Sequence, residues 1–354
     1  MSSEELSPEI KEIQNTVVGM YSEHPWPLSR DAEEEMGWRL KCLGITPQDF
    51  QDKRVLDLGC GTGEYALWYA SKGAKSVTGV DLSDGSLAIA RTRQQKAGVK
   101  NAEFLKMDIL NLDFPDNHFD YSFSVGVLHH TGDPFRGFQH LVRVTKPGGI
   151  VIVSLYNSYS RRVLRTKQSI CKWLGGKNID KRVAWSERLF GGTLRKLDKR
   201  YHGTNTKQIA YDIFGFPHES LHTAREVLHW FGETGVEYKG AFAPLRLKEY
   251  LYAFSQPEYS AFRSTFSGFP VMRMVADTFT KVADVIGRDQ GDIRQFPRPN
   301  ALSCVVTQLL WIPFGLRFNC FTISGTKLGS LIAAICGSLL NSTVFSAFFC
   351  SAEL

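Results

Sequence analysis

None of the seven cysteines (Cys42, Cys60, Cys171, Cys304, Cys320, Cys336 and Cys350) stands in a C-x-x-C pair or at a Cys/His ligand spacing. No metal site is expected, and the thiols read as reduced side chains of a cytoplasmic protein. The N-terminal run Met-Ser-Ser-Glu-Glu-Leu-Ser-Pro-Glu lacks an apolar core segment, so neither a secretory signal nor a transit peptide is expected there. Strong charge of one sign is missing as well. The 42 Lys and Arg against 36 Asp and Glu give a formal +6 over 354 residues, too little by itself to argue for nucleic acid. What is present is an ordinary apolar fraction, 43 %, and enough chain for one large core with insertions.

The chain is organised around Arg54-Val-Leu-Asp-Leu-Gly-Cys-Gly-Thr-Gly-Glu64, a short apolar strand that enters a glycine-rich turn and then a helix. Val55, Leu56 and Leu58 supply the strand, and Gly59, Gly61 and Gly63 supply a turn whose backbone can approach a ligand. A helix continuing from Tyr65 to Ala70 places its first N–H groups at that turn, as in nucleotide sites. A dinucleotide fingerprint would read G-x-G-x-x-G. Here the spacing is G-x-G-x-G, and a carboxylate, Asp57, stands two residues ahead of the first glycine. Asp57 would repel a pyrophosphate but accept a hydrogen bond from an ammonium group, so the implied ligand is cationic at that end. The stretch resembles motif I of the class I S-adenosylmethionine-dependent methyltransferases, of the type 11/12-like kind. That resemblance implies an α/β fold with a doubly wound, seven-stranded, mostly parallel sheet and helical insertions. It also implies S-adenosyl-L-methionine as the cofactor.

A second strand, Ser76 to Asp81, ends in an acid about 20 residues past the glycines, where doubly wound folds hold ribose hydroxyls. Leu82 follows, then a helix from Ser86 to Lys96. A third strand, Ala102 onward, ends at Asp108-Ile109. The resemblance sets Asp108 against the adenine amine and Ile109 against its ring. With Cys60 in the turn and Val125 at the end of strand four, the expected cofactor set is Asp57, Gly59, Cys60, Gly61, Gly63, Asp81, Leu82, Asp108, Ile109 and Val125. Strand four, Tyr121 to Val125, exits through Gly126-Val-Leu-His-His-Thr131, beyond the carboxyl ends of the strands where ligands of open sheets sit. His129 and His130 are therefore candidate bases, with structural packing as the alternative. A helix is expected over Phe138 to Val144. Lys146-Pro-Gly-Gly149 reads as a turn before strand five, Ile150 to Leu155, and the resemblance extends over about residues 50 to 157.

Outside that core the chain departs from the compact pattern. Residues 1–50 read as a helical lid, with two helices joined by the turn-forming segment Tyr21-Ser-Glu-His-Pro-Trp-Pro-Leu28 and carboxylates at Asp31 to Glu35 starting the second. Tyr21, His24 and Trp26 are lid candidates or core packers. Residues 158–216 form a basic insertion over the substrate mouth; a solvated face, an anionic acceptor, a phospholipid surface and RNA all remain open readings. Residues 217–244 resume the core, with Thr223 as a helix cap and strand six ending at Phe242. An aromatic-rich cap over 245–316 follows, then strand seven from Arg317 to Gly325 in a segment closing at Lys327. The tail, 328–354, carries no charge from Leu328 to Cys350. It is long enough for one membrane span and polar enough for a buried or interfacial helix.

The function implied is methyl transfer to a small, partly lipophilic acceptor, with O-, C- and S-methylation all open. If the acceptor is a hydroxyl or an acidic carbon, a base is needed, and His129, His130, His24 and Tyr156 are the candidates in that order. The expected partner is a small molecule and not DNA, with membrane contact through the tail. RNA modification is the second reading, without an RNA-binding module to accompany the basic insertion. A cofactor-binding scaffold without turnover is the third.

Overall fold

In β1 (Arg54–Leu58), Val55, Leu56 and Leu58 are all fully buried, so the strand needs neighbours on both edges and cover on both faces. The computed structural model supplies them. It describes residues 5–26, 36–200 apart from 38, 41 and 42, 206–242 and 320–329, with the single residues 245, 299 and 304. β2 (Ser76–Asp81) and β4 (Phe119–Val125) flank β1 in parallel. β3 (Ala102–Lys106) extends the sheet beyond β2, and β5 (Thr145–Tyr156) extends it beyond β4, both again parallel. β7 (Cys320–Lys327) then pairs antiparallel with β5, and β6 (Val236–Phe242) pairs antiparallel with β7. The order is β3-β2-β1-β4-β5-β7-β6. Strand order reverses between β1 and β4, which opens a crevice beyond their carboxyl ends.

Helices α2 (Glu64–Ser71), α3 (Asp84–Ala97), α4 (Pro134–Val144) and α8 (Ala224–Glu233) connect these strands and cover the sheet. Tyr69 of α2 stacks on Phe123 of β4 at 4.4 Å between ring centroids, and Phe138 of α4 stacks on Phe231 of α8 at 5.4 Å. Such aromatic pairs add about 0.5–1.5 kcal/mol each beyond area burial. Between β5 and α8 the chain forms α5 (Arg162–Gly175), α6 (Ile179–Arg200) and α7 (Thr206–Ala210), followed by a π-helical turn over Tyr211–Gly215. Leu164, Cys171, Val183, Leu194 and Ile213 give this bundle a small core of its own.

Two local expectations need correction. Tyr21 to Glu23 are not a loop: α1 (Pro8–Glu23), capped by the Ser7 hydroxyl accepting from the Ile10 N–H, runs through them and stops at His24, just before Pro25. Lys146 to Gly149 are not a turn between elements either. They lie inside β5, where pairing with β4 jumps from Phe119–Thr145 to Tyr121–Ile150, so the intervening residues bulge. The bulge is held by Lys146, whose ammonium pairs with Asp120 at 2.5 Å. The carboxylates at Asp31 to Glu35, most of the 245–316 cap and the tail from residue 330 onward lie outside the described residues. Among the described residues no helix is long and apolar enough to cross a membrane.

Candidate active site

The turn after β1 is fixed by its own backbone. The N–H groups of Gly59 and Cys60 both donate to the Val80 carbonyl, at 2.7 and 2.9 Å, which ties the turn to β2. Asp81, at the end of β2, completes the clamp: its two carboxylate oxygens accept from the N–H of Gly61 at 2.9 Å and of Ser83 at 2.8 Å. The glycines do different work. A Cβ at Gly59 would fall 2.4 Å from the Val127 side chain, and one at Gly63 would fall 2.8 Å from both the Ala90 Cβ and the Phe104 ring. At Gly61 a Cβ would meet nothing within 4 Å. Close packing therefore forbids side chains at Gly59 and Gly63, whereas Gly61 leaves its space to the crevice.

That crevice is a cavity of about 290 Å³, on the scale of a small-molecule site. From the expected cofactor set, Asp57, Gly59, Cys60, Gly61, Asp81, Leu82, Ile109 and Val125 line it. Gly63 sits behind the turn, capping α2. Asp108 is also behind the wall; its Oδ1 accepts from the Leu110 N–H and from the Gln14 side chain of α1, both at 2.8 Å, and so holds Gln14 against the cavity. Burial, reinforced by the neighbouring Asp81 charge, pushes the Asp57 carboxyl up to about 7, and its Oδ2 has no hydrogen-bond partner among the described residues. Burial also raises Asp81, against the opposing pull of the Ser83, Gly61 and Leu82 N–H groups.

Of the candidate bases, His130 and Tyr156 reach the cavity wall. The His130 ring packs on Phe216 at 3.8 Å, and its Nδ1 lies 3.3 Å from the His218 carbonyl oxygen, which assigns the proton to Nδ1 and leaves Nε2 as acceptor. Burial drives its pKa down to about 3, so the ring is neutral. His129 lies behind the wall, fully buried and stacked on Tyr156 at 3.6 Å, with neither ring nitrogen partnered among the described residues. Burial, with the neighbouring Arg161 charge, holds it well below the ordinary histidine value. His24 stacks on Tyr211 at 3.8 Å, whereas its lid neighbours Tyr21 and Trp26 line the cavity.

Two wall residues escaped the sequence reading. Arg161, only 2 % exposed, lies 3.4 Å over the Tyr156 ring and pairs with Glu219 at 3.1 Å. Asp212, on the π-helical turn, accepts from the Tyr21 hydroxyl at 3.2 Å. Burial pushes Asp212 up to about 7 despite the opposing pull of Arg161 and Tyr21. Its signal in the sequence is a lone acid in the otherwise apolar run Ile209-Ala-Tyr-Asp-Ile-Phe214.

The sheet order and this site define a class I S-adenosylmethionine-dependent methyltransferase domain. Residues 56–153 match the family described as "Methyltransferase domain". An uncharacterized protein of Synechococcus sp. is 27 % identical over 250 residues, covering 64 % of this chain and 60 % of the relative. The ubiquinone biosynthesis O-methyltransferase of Paracidovorax citrulli is 34 % identical over 139 residues, covering 39 % of this chain and 56 % of the relative. The match thus spans less than two thirds of either curated relative. The structure of PKMT2 from Rickettsia typhi superposes with a TM-score of 0.50 at 16 % identity, covering 86 % of this chain and 54 % of that one, a likeness of fold alone. S-adenosyl-L-methionine is the cofactor of the domain. The residues present fit it: the orphaned, buried Asp57 Oδ2 suits an ammonium group, and Gly61 leaves room beside it.

Proposed function

We propose that this protein transfers a methyl group from S-adenosylmethionine to a small, at least partly lipophilic acceptor. In this reading Asp57 and the Gly61 turn hold the methionine end, Asp81 the ribose and Ile109 the adenine ring, with Asp108 acting through Gln14. The observation that carries it is that these residues share one cavity with the apolar and aromatic side chains of Val17, Val18, Trp26, Tyr156 and Ile213. Bound there, the cofactor supplies an already activated methyl on a sulfonium leaving group. The protein's part is to line up the acceptor with that methyl and to keep water out. Helix α1 contributes to both tasks, since it closes one side of the cavity and carries Val17, Val18 and Tyr21. The ubiquinone-pathway relative, by its name, methylates a small molecule, which agrees with this acceptor class.

The test is methyl transfer from radiolabelled S-adenosylmethionine into a fractionated cell extract, with Asp81→Ala as control. Label in the organic-soluble fraction that disappears in the variant is the expected result. Label confined to water-soluble acceptors would remove the lipophilic assignment, and binding without transfer to any fraction would remove the enzymatic one.

A further inference from the structure

Asp212 is a buried carboxyl to which the reading above gives no part in holding the cofactor. It lines the cavity from the only π-helical turn among the described residues, and π-turns concentrate at functional sites. The groups facing it come from several elements. Tyr21 of α1 donates its hydroxyl to Asp212 at 3.2 Å, and Arg161, just ahead of α5, faces it together with Glu219. His130 and Tyr156 complete the same end of the wall. Arg161 is held in place by Glu219 at 3.1 Å and by the Tyr156 ring beneath it. One stretch of the cavity wall therefore carries a proton acceptor and a fixed guanidinium together.

We infer that this end is the acceptor subsite, in which Asp212 takes the proton of an acceptor hydroxyl and Arg161 steadies the oxygen as it gains negative charge. The inference rests on the methyltransferase reading above and names its substrate class: an acidic hydroxyl compound, a phenol or an enol. The alternatives fit less well. A carboxylate acceptor is already ionised and has no use for a base, and an amine would be repelled by the guanidinium. An unactivated alcohol would need a much stronger base than a carboxylate. In the step itself the acceptor O–H bond breaks and its proton moves to the Asp212 carboxylate. The O–CH3 bond forms as the S–CH3 bond breaks, the electron pair stays on sulfur as S-adenosylhomocysteine, and Asp212 returns its proton to solvent when product leaves. A carboxyl pushed up to about 7 is matched to this task at neutral pH.

The experiment compares wild type with Asp212→Asn, Tyr21→Phe and Arg161→Gln. Asp212→Asn should lower the single-turnover rate into the isolated organic-soluble product by about 10²–10⁴-fold, the usual worth of a general base. It should also abolish the acidic limb of the pH–rate profile while leaving S-adenosylhomocysteine binding near wild type and the unfolding midpoint no lower than wild type. Tyr21→Phe removes a hydrogen bond to the charged carboxylate, so it should move that limb to higher pH, a change that a purely structural role would not produce. A readout free of turnover uses 4-nitrophenol as probe in the presence of S-adenosylhomocysteine. Wild type should bind it with the phenolate absorbance band enhanced, and Arg161→Gln should lose that enhancement. A folded Asp212→Asn protein that transfers methyl at the wild-type rate, or 4-nitrophenol bound with its ionisation unchanged, would overturn the inference. Failure of the wild-type protein to bind S-adenosylhomocysteine would overturn the underlying methyltransferase reading instead.

Discussion

Replacing Asp57 by Asn tests the cofactor end through stability and binding at once. The carboxyl is raised from 3.8 to about 7 by burial and by Asp81, so between those values the folded chain holds a proton that the unfolded chain has released. Folding stability therefore falls as pH rises from about 4 to 7 and levels off above that. At about 1.4 kcal/mol per pH unit, the loss from this group amounts to roughly 4 kcal/mol. Asp57→Asn removes it, so the ligand-free variant should gain up to about that much stability at pH 8 and little at pH 4. Binding should move the opposite way. Losing a charge-assisted hydrogen bond to an ammonium costs about 1.5–3 kcal/mol, or roughly 10- to 150-fold in Kd for S-adenosylhomocysteine. Because the ligand selects the ionised carboxyl, wild type should release about half a proton on binding near pH 7, and the variant none. Urea unfolding at pH 4, 6 and 8 and calorimetric titration in two buffers of different ionisation enthalpy read all three effects. A variant with the wild-type pH slope and wild-type affinity would refute the argument.

Four further substitutions separate packing from chemistry. Gly63→Ala places a methyl 2.8 Å from Ala90 and Phe104 at a φ of +81°, and should cost about 2–4 kcal/mol in urea unfolding from overpacking and backbone strain. Gly61→Ala, at a φ of +51° in open space, should cost only about 1 kcal/mol but weaken S-adenosylhomocysteine binding, so the two variants should rank oppositely in stability and affinity. His129→Leu removes a buried imidazole whose nitrogens lack described partners; since such burial costs about 1–3 kcal/mol, the variant should be at least as stable as wild type and still transfer methyl. A hundredfold loss of transfer in that folded variant would return His129 to the chemistry. Thr223→Ala deletes the α8 cap, in which the Thr223 hydroxyl accepts from the Glu226 N–H at 3.1 Å, and should cost about 1 kcal/mol in thermal unfolding without changing cofactor affinity.

The β1 to α2 unit was legible because its signals are local: an apolar run sets the strand, glycine spacing sets the turn, and Asp57 and Asp81 fall at fixed distances from it. The same locality limited the reading of Gly63 and Asp108, whose contacts with Ala90, Phe104 and Gln14 come from other elements. His129 and His130 show the limit most directly. They are adjacent in sequence, yet the short 3-10 turn over Leu128–His130 sends one ring behind the wall and the other onto it. No periodicity distinguishes them. The pairing of Arg161 with Glu219 and of Asp212 with Tyr21 was not legible, because each joins residues about 50 or more positions apart, although the lone acid at 212 in an apolar run was a local signal.

The electrostatics of the cavity explain why a cationic cofactor and a base belong together in this fold. Asp57, Asp81 and Asp212 all line one cavity, and burial raises all three. Glu64, also on the wall, is compensated by Arg93 at 2.8 Å. A pyrophosphate would add negative charge to this set, whereas an ammonium and a sulfonium relieve it. Methyl transfer then removes the sulfonium charge, which on its own would leave the buried carboxylates less compensated in the product complex. If the acceptor's proton lands on Asp212, one carboxylate is neutralised in the same step. The net charge of the cavity is then equal before and after reaction, and no buried ion has to be left unpaired for the chemistry to proceed.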